Sequence, residues 1–176
     1  MHILLMGPRA CGKTEVGRRL AAAVGLPFVD LDDVALARFD ESSVSAVWTE
    51  HGEAAWRAAE TLAFEQTLER QDAVIALGGG TPMIPVARDR IERVRQTGGA
   101  VTVYLQCPVG VLAQRLRADA GDRPSLTGEE VAEEIQAVLR EREPTYSRLA
   151  DTVVDASCAP NEVVEELARW VRSGPK

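Results

Sequence analysis

Short apolar runs alternate along the chain with longer stretches in which apolar residues return every three or four positions. The short runs fall at 3–6, 27–30, 73–77, 100–105 and 151–155, and their length and flanks predict buried strands. The longer stretches, at 14–24, 53–70, 86–96, 108–117, 128–142 and 161–171, predict helices with one apolar face. In the first of these, Val16, Leu20 and Val24 share that face. Strands and helices in strict alternation predict an α/β fold, a parallel sheet covered by helices on both sides. Ligands of such sheets bind beyond the carboxyl ends of the strands. Two segments break the alternation. Residues from about 32 to 60 form a mostly helical insertion after the second strand, and residues from about 118 to 127, rich in Gly, Asp, Arg and Pro, suit a mobile lid.

Composition narrows the picture. The 176 residues fit a single domain over 1–176, with no internal repeat or low-complexity linker. The net charge of −7 argues against a nucleic-acid-binding surface. Lys13 and Lys176 are the only lysines, so nearly all positive charge is arginine, suited to a bidentate grip on carboxylates and phosphates. No apolar stretch is long enough to span a membrane, and the first strand begins too early to leave room for a signal peptide, so no membrane partner and a cytoplasmic location are expected. Cys11, Cys107 and Cys158 are odd in number and form no C-x-x-C pair, which reads as inert thiols in a reducing compartment. His2 and His51 lack metal-ligand spacing. No exposed apolar helix stands out, and a monomer is expected.

The chemistry begins where the first strand gives way to the first helix. Gly7-Pro8-Arg9-Ala10-Cys11-Gly12-Lys13-Thr14 fits G-x-x-x-x-G-K-[ST], the phosphate-binding P-loop. Backbone N–H groups there point inward, and the helix dipole favours negative charge. Gly7, Ala10, Cys11, Gly12, Lys13, Thr14 and Glu15 are the candidate nucleotide contacts. Lys13 reaches the β and γ phosphates, and the Thr14 hydroxyl suits Mg²⁺. ATP and Mg²⁺ are therefore the expected cosubstrate and metal.

Further candidates lie at other strand ends. Asp30 and Asp32, in Phe28-Val29-Asp30-Leu31-Asp32-Asp33, alternate along an extended chain and share one side of it. One carboxylate could serve Mg²⁺ and the other an attacking hydroxyl; helix capping is the competing use of either residue. Arg57 and Glu60 stand one helical turn apart, so Glu60 could hold Arg57 toward an anionic substrate, or the two could form an ordinary surface ion pair. Gly78-Gly79-Gly80 follows the third strand and lets a ligand approach the backbone closely. Arg123-Pro124 falls in the lid segment. Arg142 precedes Pro144, where the helical pattern is expected to stop, and its charged neighbours Arg140, Glu141 and Glu143 predict a solvated side chain.

Taken in order, these motifs resemble the shikimate kinase family, a nucleoside-monophosphate-kinase-like branch of the P-loop NTPases. The resemblance covers nearly the whole chain: GPRACGKT, FVDLDD, GEAAWRAAE, GGGT, RPSL and REPTY. It implies a three-layer α/β/α fold with a five-stranded parallel sheet of order 2-3-1-4-5. The implied reaction is ATP-dependent phosphorylation of the shikimate 3-hydroxyl, a step toward chorismate and the aromatic amino acids. Lys13, Asp32 and Arg123 would be catalytic. Asp32, Arg57, Gly78, Gly79, Gly80 and Arg142 would bind shikimate, with both arginines on its carboxylate. Thr14 and Asp30 would serve Mg²⁺.

The chain departs from the family pattern in places. Ser125 stands where a leucine is usual, and Trp48 and Trp56 replace phenylalanines. An arginine near the adenine is missing from Ser157-Cys158-Ala159-Pro160, which leaves Arg115 or Arg117 for the base. Two other readings stay open: a P-loop kinase for another small polyol, such as gluconate or a cyclitol, and a nucleotide-binding regulator without catalysis.

Overall fold

Alternate residues of the central strands face two separate apolar cores, and this decides the architecture. In β1 (His2–Met6), Ile3 and Leu5 enter one core while Leu4 and Met6 enter the other. In β4 (Ala100–Gln106), Val101, Val103 and Leu105 join the first, and Ala100 and Tyr104 the second. A sheet apolar on both faces must be covered on both. The computed structural model describes residues 1–118 and 131–174. Three further strands, β2 (Phe28–Asp30), β3 (Val74–Ala76) and β5 (Thr152–Asp155), complete an all-parallel sheet of order β2-β3-β1-β4-β5, as the resemblance implies.

The helices follow the apolar spacing. They are α1 (Lys13–Val24), α2 (Leu31–Leu36), α3 (Val44–Leu68), α4 (Pro85–Gln96), α5 (Val109–Ala118), α6 (Val131–Leu149) and α7 (Pro160–Ser173). Helix α1 pins its buried face, with Val16, Gly17 and Leu20, against the sheet. A side chain at Gly17 would collide with the Phe28 ring, so this helix and β2 are in close contact.

The helix expected over 53–70 is the second of two helical segments that α3 joins at Gly52, whose φ of 80° and ψ of 165° break the helical path. Two expectations need correction. The helix expected to stop before Pro144 continues to Leu149. Pro144 sits on the exposed side, where its missing N–H costs least, and the next turn buries Tyr146 and Leu149 completely. Finally, Asp30 and Asp32 do not share an extended strand. β2 ends at Asp30, which caps α2 by accepting the Asp32 N–H at 3.2 Å, so Asp32 lies in the first helical turn. The lid residues 119–127, including Arg123 and Ser125, lie outside the described residues.

Candidate active site

The glycine loop between β1 and α1 has the backbone of an anion cradle. Gly12, at the N-cap of α1, takes φ 99° and offers no side-chain cap, so the first helical N–H groups are left for a ligand. Ala10 also holds a left-handed φ of 63°, a cost a non-glycine residue bears only where its surroundings impose it. Lys13 Nζ donates to the carbonyls of Gly7 at 2.9 Å and Pro8 at 2.8 Å, folding the ammonium over the loop. Gly12, Lys13, Thr14 and Glu15 line a cavity shared with Ala10, Asp30, Asp32 and Gly79. Cys11 is buried beneath the loop; Cys107 is buried and Cys158 exposed, all with free thiols.

The metal candidates meet here. The Thr14 hydroxyl donates to Asp30 at 2.7 Å. Burial raises the Asp30 pKa, the Thr14 hydrogen bond opposes this, and the neighbouring carboxylates of Asp32 and Asp33 raise it further. Such crowding of negative charge is relieved by a hard divalent cation. Among the described residues no cluster of three His, Cys, Asp or Glu could hold a metal by itself. One hydroxyl and one carboxylate suit Mg²⁺, which takes its remaining ligands from water and phosphates.

A second cavity adjoins the first. Arg9, Asp32, Val44 and Gly79 line both. Its walls include Arg57, Glu60, Gly78, Gly80, Trp48, Trp56 and Arg142. On spacing alone Arg57 and Glu60 read as an ordinary surface ion pair, yet Glu60 is only 1% exposed. Its carboxylate accepts from Arg57 Nη1 at 2.6 Å and from the Thr81 hydroxyl at 2.9 Å. Burial pushes the Glu60 pKa up, and Arg57 holds it back. Burial also opposes the charge of Arg57, but Glu60 and Glu53 outweigh it and raise its pKa. The Trp48 ring lies 5.5 Å from the guanidinium carbon as a cation–π partner.

The triple glycine packs tightly against these groups. A Cβ at Gly80 would stand 2.7 Å from Arg57 Cζ, and one at Gly78 would stand 2.7 Å from Asp32 Oδ1 and collide with Glu60. Arg142 is half-buried and lines the cavity, against the solvated position expected, because α6 continues past Pro144 to bury Tyr146 and Leu149. Its Nη1 lies 3.8 Å from where a Gly79 Cβ would stand.

Arg115 and Arg117 line neither of these two cavities. Arg117 is exposed on α5. Arg115 bonds the carbonyls of Ala10 and Cys11 at 3.4 Å and of Ala156 at 2.9 Å, tying α5 to the glycine loop. Sequence reading missed Arg9, which lines both cavities; its place inside the glycine loop was the available signal.

A glycine loop capping a helix at the end of a parallel sheet, with a second, arginine-lined cavity beside it, defines a P-loop kinase for a small acceptor. The profile of the shikimate kinase family matches residues 9–172. Shikimate kinase 2 of Yersinia enterocolitica is 38% identical over 167 residues, covering 94% of this chain and 92% of its own. The chain belongs to the shikimate kinase family. A shikimate kinase from Bacteroides thetaiotaomicron superposes with a TM-score of 0.86 at 30% identity, covering 98% of each chain. One from Acinetobacter baumannii, in complex with shikimate, gives 0.87 at 26% identity, covering 98% of this chain and 93% of its own. A gluconokinase from Sinorhizobium meliloti shares the fold more distantly, with a TM-score of 0.62 at 22% identity, covering 99% of this chain and 93% of its own.

Proposed function

We propose that this chain transfers the γ-phosphoryl group of ATP to the 3-hydroxyl of shikimate. The observation that carries the reading is the position of Asp32, on the wall shared by the phosphate cavity and the arginine-lined cavity. A hydroxyl held beside Asp32 faces the end of a triphosphate lying on the glycine loop. The Asp32 carboxylate accepts the hydroxyl proton, the oxygen bonds to the γ phosphorus, and the bond to the β-phosphate oxygen breaks, leaving ADP. Arg57 and Arg142 grip the acceptor carboxylate. The backbone of Gly78, Gly79 and Gly80 lies against its ring.

The rest of the machinery supports charge. Lys13 leaves the Gly7 and Pro8 carbonyls to meet the β and γ phosphates. Thr14 and Asp30 would hold Mg²⁺, which supplies charge neutralisation on the phosphates when bound. Arg123 belongs to this reading as the lid's contribution to the same charge. The Arg115 guanidinium edge is taken by backbone carbonyls, which leaves its planar face for stacking on the base. Residues 1–176 work as one domain and as a monomer in the cytoplasm; among the described residues no helix is long and apolar enough to cross a membrane.

The test is ADP release from ATP and Mg²⁺ with shikimate, gluconate and a carboxylate-free cyclitol in parallel. Turnover with shikimate alone is expected. Preferred turnover with gluconate or the cyclitol would overturn the acceptor assignment. No turnover with any of the three would overturn the catalytic reading.

A further inference from the structure

Tyr146 stands one helical turn beyond Arg142 on α6 and is fully buried. Its hydroxyl donates to the Gly79 carbonyl at 2.5 Å. The same oxygen accepts a hydrogen bond from Arg142. The ring packs against Tyr104, with centroids 5.2 Å apart, which fixes where the hydroxyl sits. Gly79 in turn abuts the P-loop: a Cβ there would lie 3.5 Å from the Gly7 carbonyl and 3.7 Å from the Arg9 nitrogen. One oxygen atom therefore joins an arginine of α6 to the glycine loop after β3, which itself packs against the phosphate cradle.

We propose that Tyr146 is a positioning residue, whose hydroxyl sets Arg142 and the Gly79 backbone at the spacing that an acceptor carboxylate and ring require. The inference rests on the assignment of Arg142 and the triple glycine to the acceptor. A phenol can take both parts because its oxygen donates once and still accepts. Burial raises its pKa to about 12, so it keeps the proton that the Gly79 carbonyl receives. A purely space-filling role would need only the ring, which phenylalanine supplies. The hydroxyl becomes necessary if the spacing between Arg142 and Gly79 matters to the ligand.

The experiment compares Tyr146→Phe, Arg142→Ala and Thr102→Val in the full chain with shikimate and with its carboxamide analogue. Thr102 bonds the Leu149 carbonyl at the end of the same helix, away from both cavities, and controls for loosening of α6. Tyr146→Phe is expected to raise the KM for shikimate about tenfold, the scale of a lost buried hydrogen bond, while the KM for ATP stays within about twofold. With the carboxamide the same variant should lose about twofold or less, because that acceptor gives Arg142 no charge to meet. Thr102→Val should leave both constants unchanged.

An unchanged shikimate KM in Tyr146→Phe, with a raised one in Arg142→Ala, would overturn the proposal and spare the site assignment. Equal losses with shikimate and carboxamide would also overturn it. An unchanged KM in Arg142→Ala would overturn the assignment on which the proposal stands. If Tyr146→Phe fails to fold, 3-fluorotyrosine at 146 keeps the shape and weakens the oxygen as an acceptor. A shikimate KM unmoved by it would overturn the proposal, and one raised more than the carboxamide KM would support it.

Discussion

Arg57 and Glu60 form an ion pair whose two members differ sharply in exposure. The Glu60 side chain is 1% exposed and that of Arg57 is 23% exposed, with 2.6 Å between Nη1 and Oε2. The buried carboxylate holds the guanidinium against the cavity wall. Such a pair is a poor contributor to stability, because desolvation offsets its attraction. Its value lies in direction: Arg57 cannot turn away from the cavity without leaving a buried charge alone.

Glu60→Gln is expected to raise the KM for shikimate about tenfold with little change in the KM for ATP, since a charged hydrogen bond is replaced by a neutral one. The wild-type profile should show an acid limb. Burial raises the Glu60 pKa above its ordinary 4.5, so the carboxylate is neutralised earlier than a free glutamate as pH falls, and Arg57 then loses its anchor. Stability runs the other way. The contribution from Glu60 is fully present below its unfolded value near 4.5 and is lost as pH rises through the raised folded value. Shikimate KM against pH and urea midpoints against pH, each compared with Glu60→Gln, check both. A KM profile identical to wild type would refute the anchoring role.

Arg57→Ala and Arg142→Ala should each raise the shikimate KM about 10–100-fold, the range of a charged hydrogen bond. Only Arg57→Ala should also cost about 3 kcal/mol of stability, because it strands the buried Glu60 charge. Steady-state kinetics and denaturant unfolding separate the two effects. Equal stabilities in the two variants would count against the buried-pair account.

Asp32→Asn should lower kcat about 10²–10⁴-fold, the contribution of a positioned base. ATP affinity should hold within a few-fold, since the amide keeps the shape of the carboxylate. Single-turnover rates and nucleotide titration measure this. Wild-type turnover would remove Asp32 from the chemistry.

Gly80→Ala should raise the KM for shikimate, because the added methyl reaches within 2.7 Å of Arg57 Cζ. Gly110→Ala has open space and a helical backbone, so activity should be unchanged and stability should rise by about 0.5–1 kcal/mol. The pair checks that the loop glycines are required by close approach rather than by flexibility. Full activity in Gly80→Ala would contradict the packing of the loop on Arg57.

Much of this was legible in the sequence because it is written locally. The glycine loop declares itself by spacing, and the strands by short apolar runs. Where reading failed, a distant neighbour decided. Arg142 has charged residues on either side and looks solvated, but Tyr146 and Leu149 draw its helix into the core and bring it to the cavity. Pro144 looks like a stop, yet it falls on the exposed face and the helix passes through it. Asp30 and Asp32 were expected on one side of a strand; capping of α2 by Asp30 instead turns Asp32 into a helix.

The sequence by itself determined the alternation of elements, the phosphate loop and the identities of the charged groups, since periodicity and backbone demands act over a few residues. The tertiary structure decided which of those charges meet. Arg57 and Arg142, 85 positions apart, line one cavity only because β3 and its glycine loop lie between their helices. Burial then changes what the residues are worth: it makes Glu60 an anchor rather than a surface partner, and it makes a tyrosine hydroxyl the joint between α6 and the glycine loop after β3. Desolvation and packing are properties of the whole fold, and no local spacing encodes them.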